Sequence, residues 1–121
     1  MVRSVADRGD GAQLPAAGPP EPPGLVIDCT EESGVPVIWL AGELDLSNAA
    51  RARAAVQTAL AGRADRVVLD LAGLEFMDSS GIAMLLGLSQ QVREVEVRRA
   101  AGAVLRVIQV TGLDRVLRLS G

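Results

Sequence analysis

Phe76-Met77-Asp78-Ser79-Ser80-Gly81 decides the reading of this chain, because a strand-like run turns into a helix across it. Upstream, Arg66-Val67-Val68-Leu69-Asp70-Leu71 is nearly continuous in valine and leucine, the pattern of a central strand covered on both faces. Downstream, Ile82 to Leu88 is apolar at helical spacing. A hydroxyl at such a junction lies among unpaired backbone N–H groups and at the positive end of the helix dipole. It can serve as a cap, as part of a phosphate site, or as a phosphorylated switch. Ser79 is expected to be the N-cap, worth ~1 kcal/mol. A second serine is not needed for capping, and Gly81 inside the first turn costs up to ~1 kcal/mol relative to alanine. A glycine there implies the close approach of another backbone or of a bulky phosphate.

The helix beyond it is apolar almost all round. Ile82, Leu85, Leu86 and Ser89 form a stripe expected to face a sheet, leaving Ala83, Met84, Gly87 and Leu88 on the other side. A helix of this kind is either fully buried or covered by a partner. In a small domain with one sheet, a docking surface around Met84 and Leu88 is expected.

Strands are expected at Leu25 to Cys29 and Val35 to Ala41, joined by the turn Glu31-Glu32-Ser33-Gly34. Gly42-Glu43-Leu44-Asp45 reads as a break, after which Ser47 can cap a helix over Asn48 to Leu60, with Gly62 just past its end. Period-two alternation in Glu94-Val95-Glu96-Val97-Arg98 favours a fourth strand over a continued helix. A last helix runs from about Ala103 to Val110, with Gly112 as its left-handed stop and Leu113 packing back onto it. The order β-β-α-β-α-β-α specifies an α/β domain, a mixed sheet with helices packed against it.

Composition limits the chemistry. The chain has 121 residues, 49% of them hydrophobic and only 2% aromatic, enough for one domain with an aliphatic core. Histidine and lysine are absent, which removes Ser-His and Cys-His dyads, the lysine of a phosphate loop and Schiff-base chemistry. A single cysteine, Cys29, provides neither a zinc site nor an internal disulfide, and no metal or cofactor is expected. The net charge of −3 argues against direct nucleic-acid binding. No apolar run reaches the ~18–20 residues of a membrane span. Residues 1–24, rich in proline and glycine, lack the apolar core of a signal peptide and are expected to be a disordered, dispensable tail before a domain at 25–121. Together these features suggest a cytoplasmic protein. Glu43 and Asp45 could pair for acid–base work, but without a histidine or metal cluster they are better explained as acids in a loop at a helix N-terminus.

Four signposts in order carry a family resemblance: Gly42-Glu43-Leu44-Asp45, Val68-Leu69-Asp70-Leu71, Phe76-Met77-Asp78-Ser79-Ser80-Gly81-Ile82 and Val110-Thr111-Gly112-Leu113. The segment from Leu25 to Leu119 resembles a STAS domain, most closely the free-standing bacterial anti-sigma factor antagonist. Ala100-Ala101-Gly102 departs from the Ser-Pro start that the family tends to have before its last helix.

The resemblance implies a partner switch. Such a protein binds an anti-sigma factor that is also a serine kinase and frees a sigma factor, regulating transcription indirectly. The kinase phosphorylates the serine after the motif aspartate, here Ser79, and a serine phosphatase restores the complex. Asp78, Ser80 and Gly81 match the surrounding kinase-facing loop, and Glu43 and Asp45 the neighbouring one. The alternative is a STAS subunit of a membrane transport or signalling assembly, bound through the same helix without phosphorylation. A hydrolase with Ser79 as nucleophile is disfavoured, since no Gly-x-Ser-x-Gly elbow surrounds it.

Overall fold

The computed structural model describes residues 24–63 and 65–121. The tail expectation for residues 1–23 lies outside them. The described residues form five strands and three helices: β1 Leu25–Glu32, β2 Val35–Leu44, α1 Ala49–Leu60, β3 Arg66–Met77, α2 Ser79–Gln91, β4 Glu94–Arg98, α3 Gly102–Val110 and β5 Arg118–Ser120, with a short 3-10 turn at Leu113–Arg115. The sheet order is β1-β2-β3-β4-β5. β1 and β2 form an antiparallel hairpin, and every later neighbour is parallel.

Each parallel step needs a crossover, and right-handed crossovers advancing in one direction place their helices on one face. The core follows this rule. Ile38, Leu40, Val67, Leu69, Leu71, Val95 and Val97 from the sheet meet Ala52, Val56 and Leu60 of α1, Met84, Leu85 and Leu88 of α2, and Val104 and Ile108 of α3. Leu113 is buried after the left-handed Gly112 (φ 79°), as expected of a residue packing back on a helix end.

Three features differ from expectation. β2 and β3 are longer, because both continue through irregular register between Trp39 and Glu43. Gly42 makes this possible: it adopts φ +102°, and a Cβ there would lie 2.5 Å from the Gly24 carbonyl oxygen. The edge strand β5 is additional; three residues are too short to show a period, and only pairing with β4 defines them. Helix α3 starts at Ala101 without a side-chain cap, at the site of the departure from the Ser-Pro pattern.

The sheet face without helices is closed by charge. Cross-strand neighbours Arg66 and Glu94, and Asp70 and Arg98, bring opposite charges together. Arg66 contacts Glu96 at 3.0 Å, Arg98 contacts Glu96 and Glu32 at 3.1 Å each, Arg118 contacts Glu94 at 3.0 Å, and Arg99 pairs with the buried Asp70. Val37 and Val68, on this face, are nonetheless buried. Burial alone would raise the pKa of Asp70, but the Arg99 bond, the Ala72 N–H and the charges of Arg99 and Arg98 outweigh it and hold the carboxyl below its usual range. The Ser120 hydroxyl, helped by Arg98 and Arg66, likewise lowers Glu96 against the effect of burial.

Candidate functional site

The carboxyl ends of β2 and β3 deliver two loops to one place. β3 ends at Met77, and Asp78 follows in extended conformation as the N-cap of α2. Its Oδ1 accepts the Ser80 N–H at 2.8 Å, and its Oδ2 accepts the Leu46 N–H at 3.2 Å. The Asp78 N–H in turn donates to the Leu44 carbonyl at 3.1 Å. Asp78 therefore caps the helix and ties it to the β2–α1 loop. The expected cap at Ser79 is corrected: aspartate one residue earlier accepts the first-turn N–H, and Ser79 becomes the first helical residue with its side chain released to solvent.

The β2–α1 loop is fixed from within. Buried Asn48 accepts the Asp45 N–H at 2.9 Å and donates from Nδ2 to the Glu43 carbonyl at 2.9 Å. Asp45 accepts both the N–H and the hydroxyl of Ser47, at 3.0 and 2.6 Å. Ser47 thus does not cap α1; it closes the turn onto Asp45, and Asn48 at the cap position turns its side chain back into the loop. Leu46 is left projecting, 81% exposed.

Gly81 has a local explanation. A Cβ there would lie 2.3 Å from Met77 Cγ and 3.0 Å from Leu44 Cδ2, so the first turn of α2 seats directly on the ends of β3 and β2. The atoms that crowd it belong to side chains rather than to another backbone. Gly81 is a packing residue, not a surface one.

The expected faces of α2 are also corrected. Gly81, Met84, Leu85 and Leu88 are its buried residues, Met84 at 4% and Leu88 at 5% exposure. Met84 and Leu88 are core residues rather than projecting ones, and what they expose lies at the floor of a groove between α2 and α1. Leu86, expected against the sheet, is exposed instead. The apolar stripe is rotated by about one residue, because seating Gly81 on Met77 sets which side of the helix faces inward. The outward stripe is Ser79, Ala83 and Leu86, with Ile82 half-buried beside it. One turn beyond Ser79, a shallow groove of about 160 Å³ separates α2 from α1, with Val56, Met84 and Leu88 on its floor and Ala83, Gly87, Arg53 and the mutually bonded Gln57 and Gln91 around it.

Of the residues singled out by sequence, the fold gathers Glu43, Asp45, Asp78, Ser79 and Ser80 at one end. Gly81, Met84 and Leu88 lie beneath them. Leu46 and Leu86 are additional surface residues. Leu46, an isolated leucine in an acidic turn, was readable as belonging to no periodic face. Among the described residues, no group of three or more cysteine, aspartate or glutamate side chains could hold a metal. No helix is long and apolar enough to cross a membrane.

Fold and site together define a one-sheet domain that presents a solvent-facing serine at a helix start, on a surface assembled from two strand-end loops. The STAS family described as "Mlab, STAS domain" matches residues 27–119. The chain belongs to the STAS domain family. It is 32% identical to an anti-sigma F factor antagonist of Paenibacillus polymyxa over 98 residues, covering 77% of this chain and 84% of the relative. It is 29% identical to the anti-sigma-F factor antagonist RsfB of Mycobacterium tuberculosis over 101 residues, covering 81% and 83%. Among solved structures, the anti-sigma factor antagonist SpoIIAA in its unphosphorylated form superposes with a TM-score of 0.68 at 25% identity, covering 79% of this chain and 89% of that one.

Proposed function

We propose that this protein is a cytoplasmic anti-sigma factor antagonist: a binding module that engages an anti-sigma factor serine kinase and is switched off by phosphorylation of Ser79. The observation that carries the reading is the exposed Ser79 hydroxyl beside Asp78, whose two carboxylate oxygens hold Ser80 and Leu46. Glu43, Asp45, Ser80, Leu46 and Leu86 complete the surface offered to the partner.

Ser79 is suited to be a substrate rather than a nucleophile of this chain's own. The chain has no histidine, and Asp78 is engaged by backbone N–H groups, so the base that takes the hydroxyl proton comes from the kinase. A phosphoryl group adds about −1.5 to −2 charge at pH 7. The helix dipole returns only ~0.3–1 kcal/mol. Against this stand repulsion from Asp78, competition for the N–H groups that Asp78 holds, and the cost of desolvating the charge in an interface. The unfavourable contributions dominate, and the complex separates until a phosphatase removes the group.

The test is incubation with the cognate anti-sigma kinase and ATP, followed by mass spectrometry and affinity measurement. Modification is expected at Ser79, and Ser79→Glu is expected to weaken binding at least tenfold while leaving the unfolding midpoint unchanged. An unmodified Ser79, or a Ser79→Glu variant that binds as wild type does, overturns the switch.

A further inference from the structure

The chain has one tryptophan and one phenylalanine, and the fold leaves both outside the core: Trp39 is 37% exposed and Phe76 45%. Both lie on the sheet face without helices. Ile38 and Leu40 are core residues, so Trp39 between them points outward, with Asp28 of β1 and Asp70 of β3 as its cross-strand neighbours. Leu74 and Met77 are core residues too, and the register shift between them puts both Glu75 and Phe76 outside. Between the two rings runs a row of small or short side chains, Val26, Ala41 and Gly73. A Cβ on Gly73 would lie 2.7 Å from Ala41 Cβ and 3.2 Å from Trp39 Cζ2, so the missing side chain lets the indole rest on β3.

Charge is uneven over this face. Towards β5, Arg66, Arg98, Arg99 and Arg118 are matched by Glu32, Asp70, Glu94 and Glu96. Around the aromatic end Asp28, Glu43 and Glu75 are exposed, and none has an ion-pair partner among the described residues. The uncompensated charge on the whole face is therefore negative and sits beside Trp39 and Phe76.

We infer that the aromatic end of the sheet face is a second docking surface, and that its occupant is an extended segment of a protein partner in which arginine or lysine is interleaved with aliphatic residues. Exposed aromatic rings supply rigid contact area, and tryptophan is enriched among the residues that carry binding energy. The cations of such a segment lie over the indole and phenyl faces and against Asp28, Glu43 and Glu75. Its aliphatic side chains rest on Val26, Ala41 and Gly73. A second copy of the chain fits less well, because a symmetric pair sets the same three acids against one another. Only Glu43 is common to this face and the Ser79 surface, and binding here requires no phosphorylation.

The test reads the emission of Trp39, the only tryptophan of the full chain. At low salt the peptide Val-Arg-Val-Arg-Val is expected to change that emission saturably and to shift the amide signals of Val26, Ala41, Gly73 and Phe76. Asp28→Asn combined with Glu75→Gln is expected to weaken the peptide at least about threefold, and raised salt to weaken it on wild type. An unchanged emission, an equal response to Val-Gln-Val-Gln-Val, or shifts confined to Ala83 and Leu86 overturns the proposal. So does a concentration-dependent change without peptide, accompanied by a dimer mass in sedimentation, since the occupant is then a second copy.

Discussion

The outer sheet face and the Ser79 end use similar residues to opposite effect. On the sheet face Glu32, Asp70, Glu94 and Glu96 all meet arginines. At the Ser79 end Glu43, Asp45 and Asp78 instead accept backbone N–H groups or face solvent, and large aliphatic side chains stand exposed among them. The first region pairs its charges within the chain, beside an exposed Trp39. The second leaves its acids without arginine partners among the described residues. The difference follows from register: β3 and β4 place acids and arginines at paired positions, whereas strands ending in loops have no facing strand to supply an arginine.

The largest effect should come from forcing α2 to lose its inner side. Met84→Arg buries an unpaired charge and is expected to cost at least ~3–5 kcal/mol, unfolding the domain in a urea titration. Leu86→Arg, two residues on, is expected to change stability by no more than ~0.5 kcal/mol while weakening partner binding. Equal destabilisation by the two would remove the division between core and surface on α2. Gly81→Ala comes next: the new methyl meets Met77 and Leu44, and overpacking is expected to lower stability by ~1–3 kcal/mol. A neutral or stabilised variant would show that the seat of α2 yields.

A comparable effect sharpens the sheet-face side. Asp70→Asn leaves Arg99 without its carboxylate and is expected to cost ~1–3 kcal/mol at pH 7. Because the folded pKa of Asp70 is lowered, its contribution is complete above the unfolded value of ~3.9 and is lost as pH falls through the folded value. The difference between wild type and Asp70→Asn should therefore shrink as the pH is lowered from about 5 towards 2. A difference that stays constant would mean that the ion pair contributes nothing and that the cost is steric.

Much of the fold was legible because its signals are local. Continuous valine and leucine in Arg66–Leu71, alternation in Glu94–Arg98, and Gly112 followed by Leu113 each report a structure set by nearby residues. The motif also placed Ser79 at a helix start. Its neighbours were harder. Serine and aspartate are comparable caps, and it takes the tertiary bond from the Leu46 N–H to Oδ2, beside the local one from the Ser80 N–H to Oδ1, to commit both oxygens of Asp78. The helix after it is apolar on every side, so its periodicity could not identify the inner face.

The sequence by itself determined the composition of an aliphatic α/β domain, the serine at the head of its second helix and the absence of side chains for familiar nucleophilic catalysis. The tertiary structure alone decided that Met84 and Leu88 are core while Leu46 and Leu86 are surface. It also decided that Gly81 is a packing contact and that residue 24 lies beside Glu43. The physical reason is that a period fixes which residues share a stripe, but the direction a stripe faces is set by contacts between residues far apart in the chain. Here those contacts are the seating of Gly81 on Met77 and Leu44.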